Sequence, residues 1–198
     1  MTRRTISTLC AVVCCLGAAA DSWAVIVGFD NLPTSDPILG TPLPANYANI
    51  AWDSNVRYFT ESAYPEYSQP ASPPNYIFNY GTAPLATIGF SLLDPGAYLI
   101  GAYFTKASIA QDLPVRMLGL DAQNQQVYAS SWLTLHSLTT PQWLPCNFGP
   151  VARLVVEHYG SGDKFSMDSI HYDVPEPASL TLAGLALLAL TRRARSRS

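Results

Sequence analysis

Short runs of β-branched and aromatic residues, separated by turn signals, recur through residues 76–173. The turn signals include Asp94-Pro95-Gly96, Asp121-Ala122-Gln123-Asn124 and Gly160-Ser161-Gly162-Asp163. No window between residues 25 and 173 shows a convincing helical period of apolar residues. Strands that recur every eight to twelve residues or so, with turns between them, are typical of an antiparallel sandwich. The sequence therefore predicts an all-β fold, an antiparallel β-sandwich.

The predicted strands are residues 25–30, 55–59, 76–80, 85–92, 97–104, 115–120, 125–130, 132–135, 152–159 and 164–173. The segments 31–46 and 60–75 hold eight prolines between them. That proline density excludes a helix or a central strand in either segment. Long loops of this kind in a compact domain are usually functional or mobile.

The first 24 residues have the organisation of a secretory signal peptide. Arg3 and Arg4 precede an apolar stretch at residues 9–20, and a Ser-Trp-Ala sequence ends at Ala24. We expect a signal helix, export through the Sec translocon and cleavage by signal peptidase after Ala24. Cleavage after Ala20 is the alternative.

The last 25 residues, 174–198, combine a rigid Pro-Glu-Pro tripeptide, an apolar run at residues 178–191 and a group of arginines. The arginines are Arg192, Arg193, Arg195 and Arg197. Arginine so close to an apolar run stays on the cytoplasmic side, because moving it across a bilayer is costly. An apolar run of about 14 residues covers roughly 21 Å of helix, less than the ~30 Å hydrocarbon core. This length favours a transient, short hydrophobic helix over the alternative, a permanent tail anchor.

This C-terminal pattern resembles the PEP-CTERM sorting signal of Gram-negative bacteria that make exopolysaccharide. The resemblance rests on Val174, Pro175, Glu176 and Pro177, on the apolar segment with Gly184, and on the terminal arginines. It implies that an exosortase, an integral-membrane peptidase, processes the chain at the Val-Pro-Glu-Pro motif. It also implies transient anchoring in the inner membrane, followed by a final place at the cell surface, in the outer membrane or in the extracellular matrix.

The middle of the chain is similar to the β-sandwich ectodomains of PEP-CTERM proteins of unknown function. The similarity rests on residues 29–30, 47–52, 90–92, 115–120 and 165–170. It implies a jelly-roll, galactose-binding-like architecture at residues 25–173 and supplies no catalytic residues. The predicted domains are thus a signal peptide at 1–24, the ectodomain at 25–173 and the sorting signal at 174–198.

The predicted ectodomain is acidic. It holds five basic and twelve acidic residues, a net charge of minus seven. A basic footprint for nucleic acid is absent, so nucleic acid is not an expected partner. Of the four cysteines only Cys146 lies outside the signal peptide, and one cysteine cannot form an intrachain disulfide. Stability must then come from apolar burial, with a metal ion as a further contributor.

Asp30 and Asp168 are the candidate metal ligands. Asp30 follows the first predicted strand and Asp168 lies in the last one. The first and last strands of a jelly roll are often neighbours, and carboxylates with backbone carbonyls suit a structural Ca²⁺. The alternative is that both are ordinary aspartates at strand ends. Asp163 and Asp173 are further candidates with weaker support.

Aromatic residues concentrate in the first half of the ectodomain. Trp52, Tyr58, Tyr64 and Tyr67 are the candidates for a carbohydrate site, because exposed rings stack on the apolar faces of sugars. The alternative is that these rings pack within the sandwich or its loops, with Trp52 and Trp132 in the core.

Catalytic signatures are weak. His136, His158 and His171 are scattered, with no pair at metal-ligand spacing, and no nucleophile elbow or phosphate-binding glycine loop occurs. We therefore expect no enzyme. The first hypothesis is an exported cell-surface or exopolysaccharide-matrix protein without its own catalysis. The second is a lectin-like module that binds exopolysaccharide through the tyrosine-rich loops, and a glycoside hydrolase is a weaker third.

Overall fold

The computed structural model of the chain describes residues 23–63, 69–78, 88–94, 96–107, 112–159 and 164–175. The chain divides into two units, and residues 24–174 form one of them. The other unit, residues 1–23 with 175–198, lies almost entirely outside the described residues. The predicted signal helix and the predicted C-terminal hydrophobic helix therefore lie outside the described residues. In the described part, no helix has the length and apolar character needed to cross a bilayer.

The described residues form strands joined by turns and loops, with one 3₁₀ turn at Glu61–Ala63. The strands are β1 (Trp23–Val27), β2 (Thr41–Pro42), β3 (Asn46–Tyr47), β4 (Ile50–Trp52), β5 (Arg57–Thr60), β6 (Asn75–Phe78), β7 (Ile88–Leu92), β8 (Tyr98–Lys106), β9 (Leu113–Leu120), β10 (Gln126–Ala129), β11 (Leu133–Leu135), β12 (Gln142–Phe148), β13 (Arg153–His158) and β14 (Phe165–Val174). They form two antiparallel sheets, so the predicted all-β sandwich is confirmed.

Sheet A has the strand order β12-β8-β14-β6-β5-β2, and β1 also pairs with β14. Sheet B has the order β10-β9-β13-β7-β4-β3, and β11 also pairs with β9. The first strand of the ectodomain thus lies beside the last, as the sequence argument for Asp30 and Asp168 requires.

The core lies between the two sheets and contains side chains from both. Strand β9 shows why the sequence folds in this way: Leu113, Val115 and Met117 are fully buried, and the residues between them are only partly buried. This period of two places one face of the strand in the core and the other toward solvent. Strand β14 differs, because its residues from Phe165 to Ile170 are all buried. Residues 69–72 cover its outer face, as their contacts with β8 and β14 show.

The sequence analysis predicts neither the short strands β2, β3 and β4 nor β12, and its placement of Trp132 is wrong. Pro145 interrupts the apolar pattern of β12, which tolerates this proline because it is the edge strand of sheet A. Trp132 is 46% exposed instead of lying in the core. It lies outside the sandwich, where the Arg116 guanidinium stacks over its ring at 4.5 Å from the centroid.

Candidate functional site

The buried carboxylate of Asp168 fixes residues 69–72 against sheet A. Asp168 is 2% exposed. Its Oδ2 accepts hydrogen bonds from the backbone N–H of Ser72 at 2.7 Å and from the Ser72 hydroxyl at 3.2 Å. Its Oδ1 accepts one from the N–H of Ser169 at 2.7 Å. Next to it, the Thr105 hydroxyl donates to the carbonyl of Gln69 at 2.8 Å, so the segment is attached at two points.

Asp30 lies in the same region of the sandwich as Asp168. A Cβ atom at Gly28 would lie 3.2 Å from Ser72 Oγ and 3.5 Å from Asp30 Oδ2. Burial raises the pKa of Asp168 to about 6, with a further upward contribution from the charge of Asp30. The hydrogen bonds from Ser72 and Ser169 lower the same pKa and only partly offset the burial. The structure therefore brings together the two carboxylates named from the sequence.

Neutral polar side chains, Tyr47 and Asn31, lie beside the Asp30 and Asp168 carboxylates. The Tyr47 hydroxyl donates to the carbonyl of Gly28 at 2.9 Å and is also hydrogen-bonded to the Asn31 side chain. Burial and the charges of Asp30 and Asp168 raise the pKa of Tyr47.

Within the described residues, no group of three or more His, Cys, Asp or Glu side chains could hold a metal ion. Asp173 lies further along β14, beside Tyr98 of β8, and Asp163 lies outside the described residues. A calcium ion at Asp30 and Asp168 would need backbone carbonyls or water for most of its ligands.

The predicted carbohydrate-binding rings do not form one exposed surface. Trp52 is 6% exposed and Tyr58 is 2% exposed. Trp52 packs between Phe29 and Phe90, at centroid distances of 5.9 and 5.0 Å. These two side chains belong to the core and present no ring face to a sugar, which corrects their assignment. Tyr64 and Tyr67 lie outside the described residues.

A different set of aromatic side chains lies together on the outer face of sheet A. This three-ring cluster consists of Tyr103 of β8, Trp143 of β12 and His171 of β14, all partly exposed. The Tyr103 and Trp143 centroids are 5.0 Å apart, those of Trp143 and His171 are 4.9 Å apart, and those of Tyr103 and His171 are 6.2 Å apart. Strand register brings the rings together, because Tyr103 pairs with Trp143 and Gly101 pairs with His171.

Gly101 makes room for the indole ring in this cluster. A Cβ atom at residue 101 would lie 2.6 Å from Cζ2 of Trp143 and 2.4 Å from the carbonyl oxygen of Leu144. Only glycine therefore allows the ring to lie directly against the strand. Burial lowers the pKa of His171 below its usual value of 6.5, which favours the neutral imidazole. The cluster is an uncharged surface that combines apolar ring faces with polar ring edges, which suits a neutral ligand with both C–H and O–H groups.

The remaining histidines and Cys146 do not form a catalytic arrangement with one another. His136 is exposed, with its Nδ1 2.8 Å from a carboxylate oxygen of Asp112, and buried His158 packs edge-on against Phe165. Burial raises the pKa of the Cys146 thiol to about 12, so the sulfur is protonated at neutral pH and is a poor nucleophile.

The two predicted processing points lie at strands that pair with each other. Ala24 lies within β1, and Val174 is the last residue of β14. Pro175 follows without regular structure, and Glu176, Pro177 and the four arginines lie outside the described residues.

Comparison with known proteins identifies the C-terminal segment. A family model described as the PEP-CTERM protein-sorting motif matches residues 173–196, so the chain carries this motif. The motif implies export, transient anchoring at the membrane and an exosortase as processing partner. No curated protein matches the sequence.

Several solved structures resemble the sandwich at low identity. A DUF4465 family protein from Bacteroides caccae has a TM-score of 0.48 and 13% identity, over 78% of this chain and 100% of that chain. The CBM22-1 xylan-binding domain from Paenibacillus barcinonensis has a TM-score of 0.39 and 11% identity, over 78% and 99%. A family 29 carbohydrate-binding module from Piromyces equi has a TM-score of 0.39 and 12% identity, over 78% and 91%. Likenesses this distant carry no argument about function.

The raised pKa of Asp168 predicts a pH-dependent stability. Its pKa is about 6 in the folded chain against the ordinary aspartate value of 3.8, so folding favours the protonated form. The contribution of Asp168 to the free energy of unfolding is therefore largest below pH 4 and decreases as the pH rises toward 6. Above that pH it does not change further. Urea unfolding at pH 4 and pH 7 should show the wild type gaining up to about 3 kcal/mol at pH 4 relative to Asp168→Asn. An unchanged difference between the two proteins would mean that Asp168 has an ordinary pKa.

Proposed function

We propose that the chain is an exported protein of the cell surface or exopolysaccharide matrix that an exosortase processes at residues 174–177, and that it has no catalysis of its own. One observation carries the proposal: the match to the sorting motif at residues 173–196 begins where the last strand of the sandwich, β14, ends at Val174. A folded ectodomain is thus followed directly by a segment whose role is sorting.

The proposal divides the chain into a signal peptide at 1–24, an ectodomain at 25–173 and a sorting signal at 174–198. The Sec translocon and signal peptidase act on the first segment, and the exosortase of a Gram-negative host acts on the last. The protein is anchored in the inner membrane through its C-terminal segment until it is cut. It then remains at the cell surface, in the outer membrane or in the matrix.

The intact mass of the protein, recovered from the envelope and culture medium of its host, tests this division. We expect a species that lacks residues 1–24 and the chain beyond the Pro-Glu-Pro tripeptide. Additional mass at the new C-terminus would identify what the protein is attached to. A mature species that retains Leu180 to Ser198 would show a permanent anchor and would contradict the sorting proposal.

A second candidate function is carbohydrate binding, and the three-ring cluster favours it. Partly exposed rings from β8, β12 and β14 lie within 4.9 to 6.2 Å of each other on one sheet face. Gly101 fixes the position of the central indole, so little side-chain entropy is lost when a ligand stacks on it. The neutral rings and the acidic ectodomain favour an uncharged polysaccharide over a polyanion. Exopolysaccharide is the proposed ligand.

Trp143→Ala tests this candidate in affinity electrophoresis or calorimetry with the polysaccharide that the host secretes. We expect the affinity to fall about tenfold or more, because the central ring of the cluster is removed. Trp132→Ala is the matched control, since Trp132 is an exposed tryptophan outside the cluster that precedes β11 of sheet B. Equal binding by both variants would contradict a site at the cluster. Loss in Tyr64→Ala or Tyr67→Ala alone would instead support the tyrosine-rich loop named from the sequence.

A structural calcium ion at Asp30 and Asp168 is a further proposal. An ion that binds only the folded ectodomain raises its melting temperature in proportion to the logarithm of the free calcium concentration. We expect added Ca²⁺ to raise the melting temperature of the wild type and to leave Asp30→Asn unchanged, with Mg²⁺ as the control ion. A wild type that does not respond to Ca²⁺ would contradict the site.

A further inference from the structure

Strand β14 includes the first two residues of the matched sorting motif, Asp173 and Val174. Asp173 pairs with Tyr98 of β8, and β1 pairs with the other side of β14. Near the start of β14, Ser166 and Met167 pair with β6. Strand β1 pairs with the same side of β14 closer to its end. Gly28, which follows β1 in the chain, lies near Ser72. The Ser72 hydroxyl is in turn 3.3 Å from that of Ser169 in β14. Strand β1 therefore pairs with the second half of β14.

This pairing restricts where a peptidase can cut the folded protein. A residue whose backbone N–H and C=O groups already belong to a sheet ladder cannot also enter a peptidase cleft. The accessible chain therefore begins after Val174. One residue spans at most about 3.6 Å, so every peptide bond of residues 175–177 lies within about 11 Å of Val174. An enzyme that cuts at this motif must approach the end of the sandwich closely.

Hydrogen bonds hold the end of the sandwich beside Val174. Leu93 and Asp94 follow β7 there, and Tyr98 begins β8. Asp94 accepts hydrogen bonds from the Tyr172 hydroxyl at 3.0 Å and from Asn49 Nδ2 at 2.9 Å, which ties this end to both sheets. The backbone N–H of Leu93 donates to the carbonyl of Asn49 at 2.9 Å. A surface held in this way is pre-organised for a partner.

Two large side chains of this end are half exposed. Leu93 and Tyr98 are each 47% exposed, and Tyr98 lies directly opposite Asp173 in the ladder. Tyrosine is enriched in protein interfaces and among the residues that contribute most to binding, so Tyr98 is the candidate anchor. We call Leu93, Asp94, Tyr98 and Asp173 the exit face, because the chain leaves the sheet there.

We propose that the exit face is a docking surface for the peptidase that cuts the sorting motif, so that this enzyme recognises the folded end of the ectodomain together with the Pro-Glu-Pro tripeptide. The inference rests on the proposed function, because it requires that the motif is processed. It commits to the processing peptidase as occupant, since continuity with the cut segment brings that enzyme to this end. The cut itself falls after Val174.

Tyr98→Ala in the full chain, expressed in the native host, tests the proposal. The processed fraction is measured by intact mass at a fixed time after synthesis is induced. We expect it to fall about fivefold, because truncation of an aromatic anchor weakens an interface. Tyr159→Ala is the control and should be processed like the wild type, since Tyr159 is 78% exposed and follows β13 at the opposite end of the sandwich. The melting temperature of each secreted ectodomain confirms that the variants fold.

A flexible Gly-Ser spacer between Val174 and Pro175 provides the second arm. It separates the motif from the exit face, so an enzyme acting on the spacer chain no longer has to contact Tyr98. The spacer chain should therefore be processed equally with and without Tyr98→Ala. If the wild type loses its tail and Tyr98→Ala loses it equally fast without the spacer, the docking proposal is wrong and the proposed function stands. If the wild type keeps its tail, both are wrong.

Discussion

Pairing along strand β14 holds sheet A together. The strand is ten residues long, with β8 along one side and β6 followed by β1 along the other. Several contacts of sheet A described above depend on this arrangement. It sets Asp168 opposite Tyr103 and His171 opposite Gly101, and it brings the first strand of the ectodomain beside the last. A shift by one residue would reverse the faces of all these side chains.

Asp168 shows how a costly group is accommodated in the middle of this strand. A buried carboxylate without partners would be strongly unfavourable, and three hydrogen bonds from Ser72 and Ser169 offset part of that cost. The same bonds hold the segment 69–72 over the sheet. The outer face of β14 is therefore covered near Asp168 and remains partly open near His171, where the three-ring cluster lies.

Much of the fold could be predicted from the sequence because its strands carry local signals. The alternation in β9 is visible in the residues themselves, and the reasoning that first and last strands are neighbours correctly brought Asp30 near Asp168. The burial of Ser166, Asp168 and Ser169 in β14 is not visible in this way, because it depends on cover by residues 69–72. Strand β12 gave no such signal, since Pro145 is acceptable only at an edge and edge position depends on the whole sheet.

The three-ring cluster could not be predicted for a related reason. Tyr103, Trp143 and His171 lie far apart in the chain and meet only through the register of three strands. Nothing local separates them from the buried Trp52 and Tyr58, which the sequence favoured as ring faces for a sugar. The one local hint is Gly101 within an otherwise bulky strand, because an interior glycine often marks a close approach by another group.

The neighbouring positions of β1 and β14 also affect the order in which the protein can fold. Partners about 140 residues apart must find each other, which makes closure of sheet A a late and slow event with a large loop-closure cost. An exported chain cannot complete this sheet until β14 has itself crossed the membrane, so sheet A stays incomplete until the end of translocation. The step that completes the sandwich is then also the step that delivers the sorting motif to the membrane, and folding and sorting are coupled in time.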